Sequence, residues 1–322
     1  MRSLRLTRAV ASLFNHDEST HDNRRWGAPE APLDEVSEEG EWHSLERFFA
    51  GLRAARAERR VPPEVGSRKR RAVMTIVRNE PVFLSIWLRY YSRFFSPGDI
   101  YVLDHGSTDG STSGAGFVRI PVTHETVDTA WMTRTVQAHQ HELMERYDVV
   151  LVTDVDEIVA PSPSLGSLRD YIDRFDEDFV NCLGYEVIHQ ANVEPPYDPH
   201  HPILGQRGYW YPNDAYGKPA LATVPLEWEP GFHARTDGRV QWDPDLRLIH
   251  LHRMDYDICR QRHLEWRARK WSDQELARGW GTHHLITDGP DFERWFYTDS
   301  NFEDRGIRIA LQRIPPAWRG VV

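Results

Sequence analysis

Three carboxylates lie close together at the end of an apolar run. In YDVVLVTDVDEIVA, residues 147–160, the segment Val149-Val150-Leu151-Val152 leads into Thr153 and then Asp154, Asp156 and Glu157. A short, unbroken, β-branched run is the pattern of a strand buried on both faces of a sheet. Asp154 and Asp156 are two residues apart, so an extended backbone projects them to the same side. Two anions crowded at the end of a buried strand repel each other and lose hydration. A hard divalent cation with oxygen ligands, Mg2+ or Mn2+, is the natural counter-charge. Further along, residues 246–254 (LRLIHLHRM) read as a strand carrying His250 and His252 on one face, where both imidazoles could serve one metal ion. His233 competes for that role. An isolated DxD is most often a solvated acidic turn; the elements around this one argue otherwise.

Those elements begin at Arg71. Residues 72–77 form an apolar, β-rich run followed by Arg78-Asn79-Glu80. Pro81 then opens a helix, a position that suits proline. Residues 99–103 predict a second strand, which ends in a polar, glycine-marked loop, DHGSTDG, at 104–110. Residues 117–122 predict a third strand and 133–146 a helix. The order strand, helix, strand, strand, helix, strand predicts an α/β fold with a mixed, mostly parallel sheet flanked by helices. Ligands of such sheets collect beyond the carboxyl ends of the strands. Arg78 to Glu80, Asp104 to Asp109 and Asp154 to Glu157 all fall there. Three polar clusters at one edge are hard to explain as solvated turns.

Composition narrows the partners. The chain has 322 residues, 40% hydrophobic, and a net charge of −10, which excludes a basic nucleic-acid footprint. The one basic run, Arg68-Lys69-Arg70-Arg71, reads as a solvated linker or, at most, a peripheral touch on a membrane surface. Cys182 and Cys259 lack metal-type spacing and cannot form a disulfide framework, so a reduced, cytoplasmic setting is expected. The N-terminal MRSLRLTRAVASLF is interrupted by charge and does not read as a signal peptide. Residues 1–70 read as a partly disordered leader carrying one amphipathic helix at 44–60, stopped by Pro62-Pro63.

VRNE after the first strand, LDHGSTDGS after the second and VTDVDEIV ending a later one resemble the GT-A nucleotide-sugar glycosyltransferases, closest to the family 2-like group. The resemblance covers residues 71–160. It implies a GT-A catalytic domain at 71–255, with a nucleotide half (71–160) and an acceptor half (161–255), and a helical extension at 256–322 packed on it. It further implies that Arg78, Asn79 and Glu80 lie by the nucleotide, and that Asp104 and Asp109 belong to the loop meeting base and ribose. Asp154 and Asp156 would hold the metal on the diphosphate, with His250 or His252 completing its shell. The chain has His105-Gly106-Ser107 where the family commonly has Asn-Ser or Asn-Gly-Ser, which leaves the base open. Lys218, in a Gly-Lys-Pro segment, is a phosphate or acceptor contact under this reading. An inverting enzyme also needs a carboxylate to take the acceptor proton; Glu229 is the choice, ahead of Glu227 and Asp214.

The expected activity is thus metal-dependent transfer of a sugar, of the hexosyltransferase type, from a nucleoside diphosphate sugar to a glycan, lipid-linked saccharide or small-molecule hydroxyl. One rival is a sugar nucleotidyltransferase, disfavoured because VRNEPV lacks the glycine-rich loop that cradles a triphosphate. The other is a non-catalytic module binding carbohydrate or a divalent cation at the same acidic edge. Residues 255–270 predict a helix capped by Asp255 or Asp257, with Arg262, Arg267 and Arg269 on a solvated face. His283-His284 reads as loop, and the tryptophans that cluster after residue 200 as core with some sugar-stacking platforms.

Overall fold

The computed structural model describes residues 68–297 and 311–322; the expected leader helix at 44–60 lies outside the described residues. Strands β1 (Arg71–Val77), β2 (Ile100–Asp104), β3 (Val118–Pro121) and β4 (Val149–Val152) pair in parallel in the order β3-β2-β1-β4. Helix α1 (Pro81–Tyr91) follows β1, with proline in its first turn. Helix α2 (Thr129–Met144) precedes β4 and starts earlier than the periodicity alone predicts, because the Asp128 carboxylate accepts the Trp131 amide and caps it.

Residue alternation along the parallel strands builds two cores. Val73, Val149 and Leu151 belong to the cluster that includes Phe83, Trp87 and Tyr91 of α1. Ala72, Met74, Val150 and Val152 belong to the one that includes Val136 and Leu143 of α2. Each large side chain so buried contributes about 1.5–3 kcal/mol.

Beyond β4 the sheet becomes mixed. The remaining strands are β5 (Glu157–Pro161), β6 (Phe179–Val187), β7 (Tyr209–Pro212), β8 (Pro219–Ala222), β9 (Trp242–His250) and β10 (Gln312–Arg313). The path runs β10-β7-β6-β8-β4, while β9 pairs in parallel with β6 and antiparallel with β5. The second half also carries helices α3 (Leu168–Arg174), α4 (Ile203–Gln206), α5 (Tyr256–Arg267), α6 (Asp273–Arg278) and α7 (Gly289–Tyr297). No helix among the described residues is long and apolar enough to cross a membrane.

Two registers decide where the chemistry falls. β8 runs antiparallel to β4 with Val150 opposite Ala222 and Leu151 opposite Leu221; carried past the strand ends, that register sets Asp154 opposite Lys218. β9 runs antiparallel to β5 with Glu157 opposite His250, and parallel to β6 with Glu186 opposite His250. The last residue of β9 is therefore flanked by two acids.

Gly184 in β6 keeps this arrangement closed. A Cβ there would come within 2.3 Å of the Asn213 carbonyl oxygen and 2.7 Å of Tyr216 Cβ. Tyr216 in turn stacks on His250, with ring centroids 3.9 Å apart. Gly184→Ala is expected to push the 213–216 turn off the sheet and cost about 1–3 kcal/mol, read as a melting temperature lower by several degrees. An unchanged melt would mean the turn yields freely.

Candidate active site at the carboxyl ends of the strands

The expected same-side projection of Asp154 and Asp156 requires an extended backbone, and the chain turns instead: β4 ends at Val152 and residues 155–156 form a turn before β5. The turn is closed from within, since Glu157 Oε2 accepts the Asp154 amide at 2.9 Å. The two aspartates consequently take different partners. Asp154, 38% exposed at its side chain, receives the Lys218 ammonium at 2.5 Å. Lys218 also lies 2.7 Å from Glu157 Oε1. Asp156 is buried; its Oδ2 receives Arg262 and lies 3.5 Å from His250 Nε2 and 3.4 Å from His252 Nδ1.

Electrostatics follow from these contacts. Burial acts to raise the Asp156 carboxyl, but the Arg262 and His250 charges outweigh it and hold it well below the usual carboxylate range. Burial alone would lower His250, yet Glu186 and Asp156 push it up to about 10, so it is an imidazolium. His250 Nδ1–H donates to Glu186 Oε2 at 2.8 Å. Burial depresses Lys218 less than Asp154 and Glu157 raise it, so its ammonium stays charged. His252 is held neutral, far below its ordinary value, by burial.

Helix α1 braces the acidic turn. Trp87 Nε1 donates to Thr153 Oγ1 at 2.8 Å, the Tyr90 hydroxyl to the Val159 carbonyl at 3.0 Å, and the Val159 amide to the Tyr91 hydroxyl at 2.9 Å. The aromatic face that makes α1 helical and buried is also what fixes the entry into β5.

The expected nucleotide loops are tied to each other. Asn79 takes a left-handed backbone, φ 55°, which asparagine tolerates. Its Oδ1 accepts the Thr108 amide at 2.8 Å and the Asp109 amide at 3.3 Å, and its own amide donates to Ser107 Oγ at 3.1 Å. Asp104 is buried and closes its own loop, accepting from the Ser107 amide, Thr112 and Arg119. Against the effect of burial, those bonds hold its carboxyl below the usual range. Asp109 is exposed and accepts from Ser111. Glu80 is buried against Arg262, whose Nε lies 2.9 Å away; burial nonetheless pushes its carboxyl up. The Arg78 carbonyl accepts from Arg269 at 2.7 Å.

The solvated arginine face expected on α5 is a correction. Arg262 is 10% exposed and joins Glu80 to Asp156, one guanidinium linking the loop after β1 to the turn after β4. Arg269 is turned inward as well; only Arg267 is more than half exposed. Helical periodicity could not reveal this, because it shows which face is polar but not what covers it.

A narrow cleft with largely buried walls lies beside the acidic turn. Thr75, Asp154, Glu157, Lys218, Trp228 and Phe232 are among its walls. Thr75 Oγ1 is buried there with no hydrogen-bond partner among the described residues. Trp228 and Phe232 belong to a hairpin that also holds Glu229, which is exposed and outside the cleft wall. Glu227 of the same hairpin accepts from Gln137. His233 is exposed and donates from Nδ1 to the Ala215 carbonyl.

Asp156, His250 and His252 offer three ligand atoms within 4.8 Å of one another, an oxygen and two nitrogens; Asp154 stands outside that set. His252 joins it from a turn rather than from the expected strand, β9 ending at His250, and its ring still lies parallel to His250's with centroids 5.8 Å apart.

No protein-family model and no curated protein matches the chain. Solved structures similar to it include a mannosyltransferase from Pyrobaculum calidifontis in complex with GDP-Man and Mn2+, 18% identical over 79% of this chain and 78% of that one, TM-score 0.36. Another is the galactosyltransferase LgtC in complex with donor and acceptor sugar analogs, 14% identical over 78% of this chain and all of that one, TM-score 0.24. Likenesses this distant leave the functional reading to the side chains.

Proposed function

We propose that the protein is a metal-dependent glycosyltransferase of the GT-A type, moving a sugar from a nucleoside diphosphate sugar to a hydroxyl of a glycan, lipid-linked saccharide or small molecule. The observation that carries this reading is the convergence of Asp156, His250 and His252 beside the Asp154–Lys218–Glu157 cluster, at the carboxyl ends of parallel strands and next to a narrow cleft. One oxygen and two imidazole nitrogens suit Mn2+ better than Mg2+, which prefers oxygen alone. Asp156, His250 and His252 would hold the ion, His250 giving up its Nε2 proton and Arg262 withdrawing from His252 Nδ1. When bound, such an ion supplies positive charge to a departing diphosphate.

The chain's own groups do the rest under this reading. Lys218 offers the cleft a fixed ammonium for a phosphate oxygen. Asn79 shapes the loop that Asp104 and Asp109 build for base and ribose, and Arg78 and Glu80 flank it. Phe232, half-buried over Trp228, gives the sugar an apolar face. Glu229, at the exposed end of the same hairpin, is the proposed acceptor of the hydroxyl proton in an inverting reaction.

The test is a thermal-shift panel of UDP, GDP, ADP, CDP and dTDP, each with and without Mn2+. One base is expected to raise the melting temperature in a metal-dependent manner, and its sugar conjugates to be hydrolysed slowly when Mn2+ is present. Stabilisation by none of them, with no hydrolysis of any nucleotide sugar, would overturn the proposal.

A further inference from the structure

The histidine that closes the proposed manganese group has a second face. His252 Nε2 points away from Asp156 and meets His263 Nε2 at 2.9 Å. Cys259 lies one helical turn before His263 on α5, so the i, i+4 spacing puts thiol and imidazole on one face. His252, Cys259 and His263 are all buried and bring three ligand atoms within 4.8 Å of one another. We infer that these three residues form a separate binding site for a soft divalent cation, zinc, distinct from the hard-metal site on the far side of His252.

Three features support it. The donor set is two nitrogens and a sulfur, which selects zinc over the magnesium or manganese proposed next door. One imidazole already has its remote nitrogen engaged as metal-ligating histidines do: His263 Nδ1–H donates to the Ile286 carbonyl at 2.9 Å, while His252 Nδ1 accepts from Arg262 and lies 3.4 Å from the Asp156 carboxylate that would take its proton. A third imidazole borders the group. The His284 ring centroid lies 5.1 Å from those of His252 and His263, and its Nδ1 is shut off from solvent with no hydrogen-bond partner among the described residues. That orphaned nitrogen is the candidate for the fourth position of a tetrahedral site.

The required adjustment is small. Two nitrogens bound to one zinc at about 2.0–2.1 Å sit roughly 3.3 Å apart in a tetrahedral arrangement, a few tenths of an ångström wider than the contact present. Ion-free, the pair holds together because His263 Nδ1 must carry its proton for the Ile286 carbonyl, leaving His263 Nε2 to accept from His252 Nε2–H. Arg262 then donates to His252 Nδ1 at 2.7 Å. Binding zinc moves the His252 proton to Nδ1, toward Asp156; Arg262 then withdraws from Nδ1 onto Glu80 and Asp156, and an ion next door is held by Asp156 and His250 without His252. The Cys259 thiol must also give up its proton; in the ion-free protein burial holds that thiol well above its ordinary value, with Arg253 and Arg262 acting the other way, so the bound cation itself has to supply the charge that favours the loss.

The experiment is zinc and cobalt titration of the full chain after chelator treatment, comparing wild type with Cys259→Ser, His263→Gln and Asp154→Asn. Wild type is expected to retain one zinc per chain through dialysis, to melt higher with zinc, and with Co2+ to show a sulfur-to-cobalt charge-transfer band. Cys259→Ser should abolish the band and, like His263→Gln, weaken zinc binding by more than about tenfold, while Asp154→Asn binds zinc as wild type does. Melts without metal establish that each variant folds. No zinc retained by folded wild type, or the same affinity and cobalt spectrum in Cys259→Ser, overturns the site. The inference does not rest on sugar transfer: loss of zinc with nucleotide-dependent stabilisation intact, or the reverse, separates the two.

Discussion

Asp156→Asn is expected to abolish manganese-dependent stabilisation by nucleoside diphosphates and to reduce nucleotide-sugar hydrolysis by at least about 100-fold, the scale on which one preorganised electrostatic group counts. The substitution keeps the shape of the side chain and removes its charge. In the protein that charge is shared by Arg262, His250 and His252. Arg262 retains Glu80 and His250 retains Glu186, so neither cation is stranded. The fold should lose less than the roughly 3–5 kcal/mol typical of breaking a buried pair outright. Circular dichroism melts report the stability and the Mn2+ thermal shift reports the site. A variant that melts near wild type, still gains stability from a nucleotide only with Mn2+, and still hydrolyses the donor would remove Asp156 from the metal. Asp154→Asn should give a milder version, since Asp154 is half open to solvent and answers to Lys218 instead.

The contrast between the two aspartates shows what could be read in the sequence. The apolar runs at 72–77, 100–103 and 149–152 are strands because β-branched residues without a break fit a sheet covered on both faces, and both faces are covered. Polar clusters at their ends were legible for the same reason: a chain leaving a buried strand must become polar. Legibility stopped at pairings between distant segments. Lys218 meets Asp154 because of the β4–β8 register, which no local pattern encodes. Glu186 lies beside His250 because β6 and β9 are neighbours. Arg262 looked like solvent-facing polarity and is a buried bridge. Cys259 and His263 carry a local signal, a Cys-x3-His spacing on a helix, but their third partner, His252, arrives from another element. The turn at 155–156 hides in a sequence whose alternation reads as continued strand, and only Glu157 folding back on the Asp154 amide reveals it.

Lys218→Met should be the most destabilising single change at the cleft. Methionine preserves the buried stem and removes the ammonium. That ammonium is 7% exposed and serves two carboxylates, Asp154 at 2.5 Å and Glu157 at 2.7 Å. Asp154 can turn to water, but Glu157 is fully buried, and its Oε1 has no other partner among the described residues. Removing one member of such a pair leaves an uncompensated buried charge, at a cost of about 3–5 kcal/mol. For a chain of this size that corresponds to a melting temperature lower by roughly 10 °C. Lys218→Met/Glu157→Gln separates lost charge from lost packing. Glutamine leaves no anion to strand and keeps an oxygen for the Asp154 amide, so the double variant should recover most of the loss. The coupling between the two positions should then fall at the upper end of the range of about 0.5–3 kcal/mol for residues in one network. Activity should not return with stability, since Lys218 is the fixed cation on the cleft wall. If the two substitutions instead add, the lysine acts through its stem alone, and the charge balance drawn for this turn is wrong.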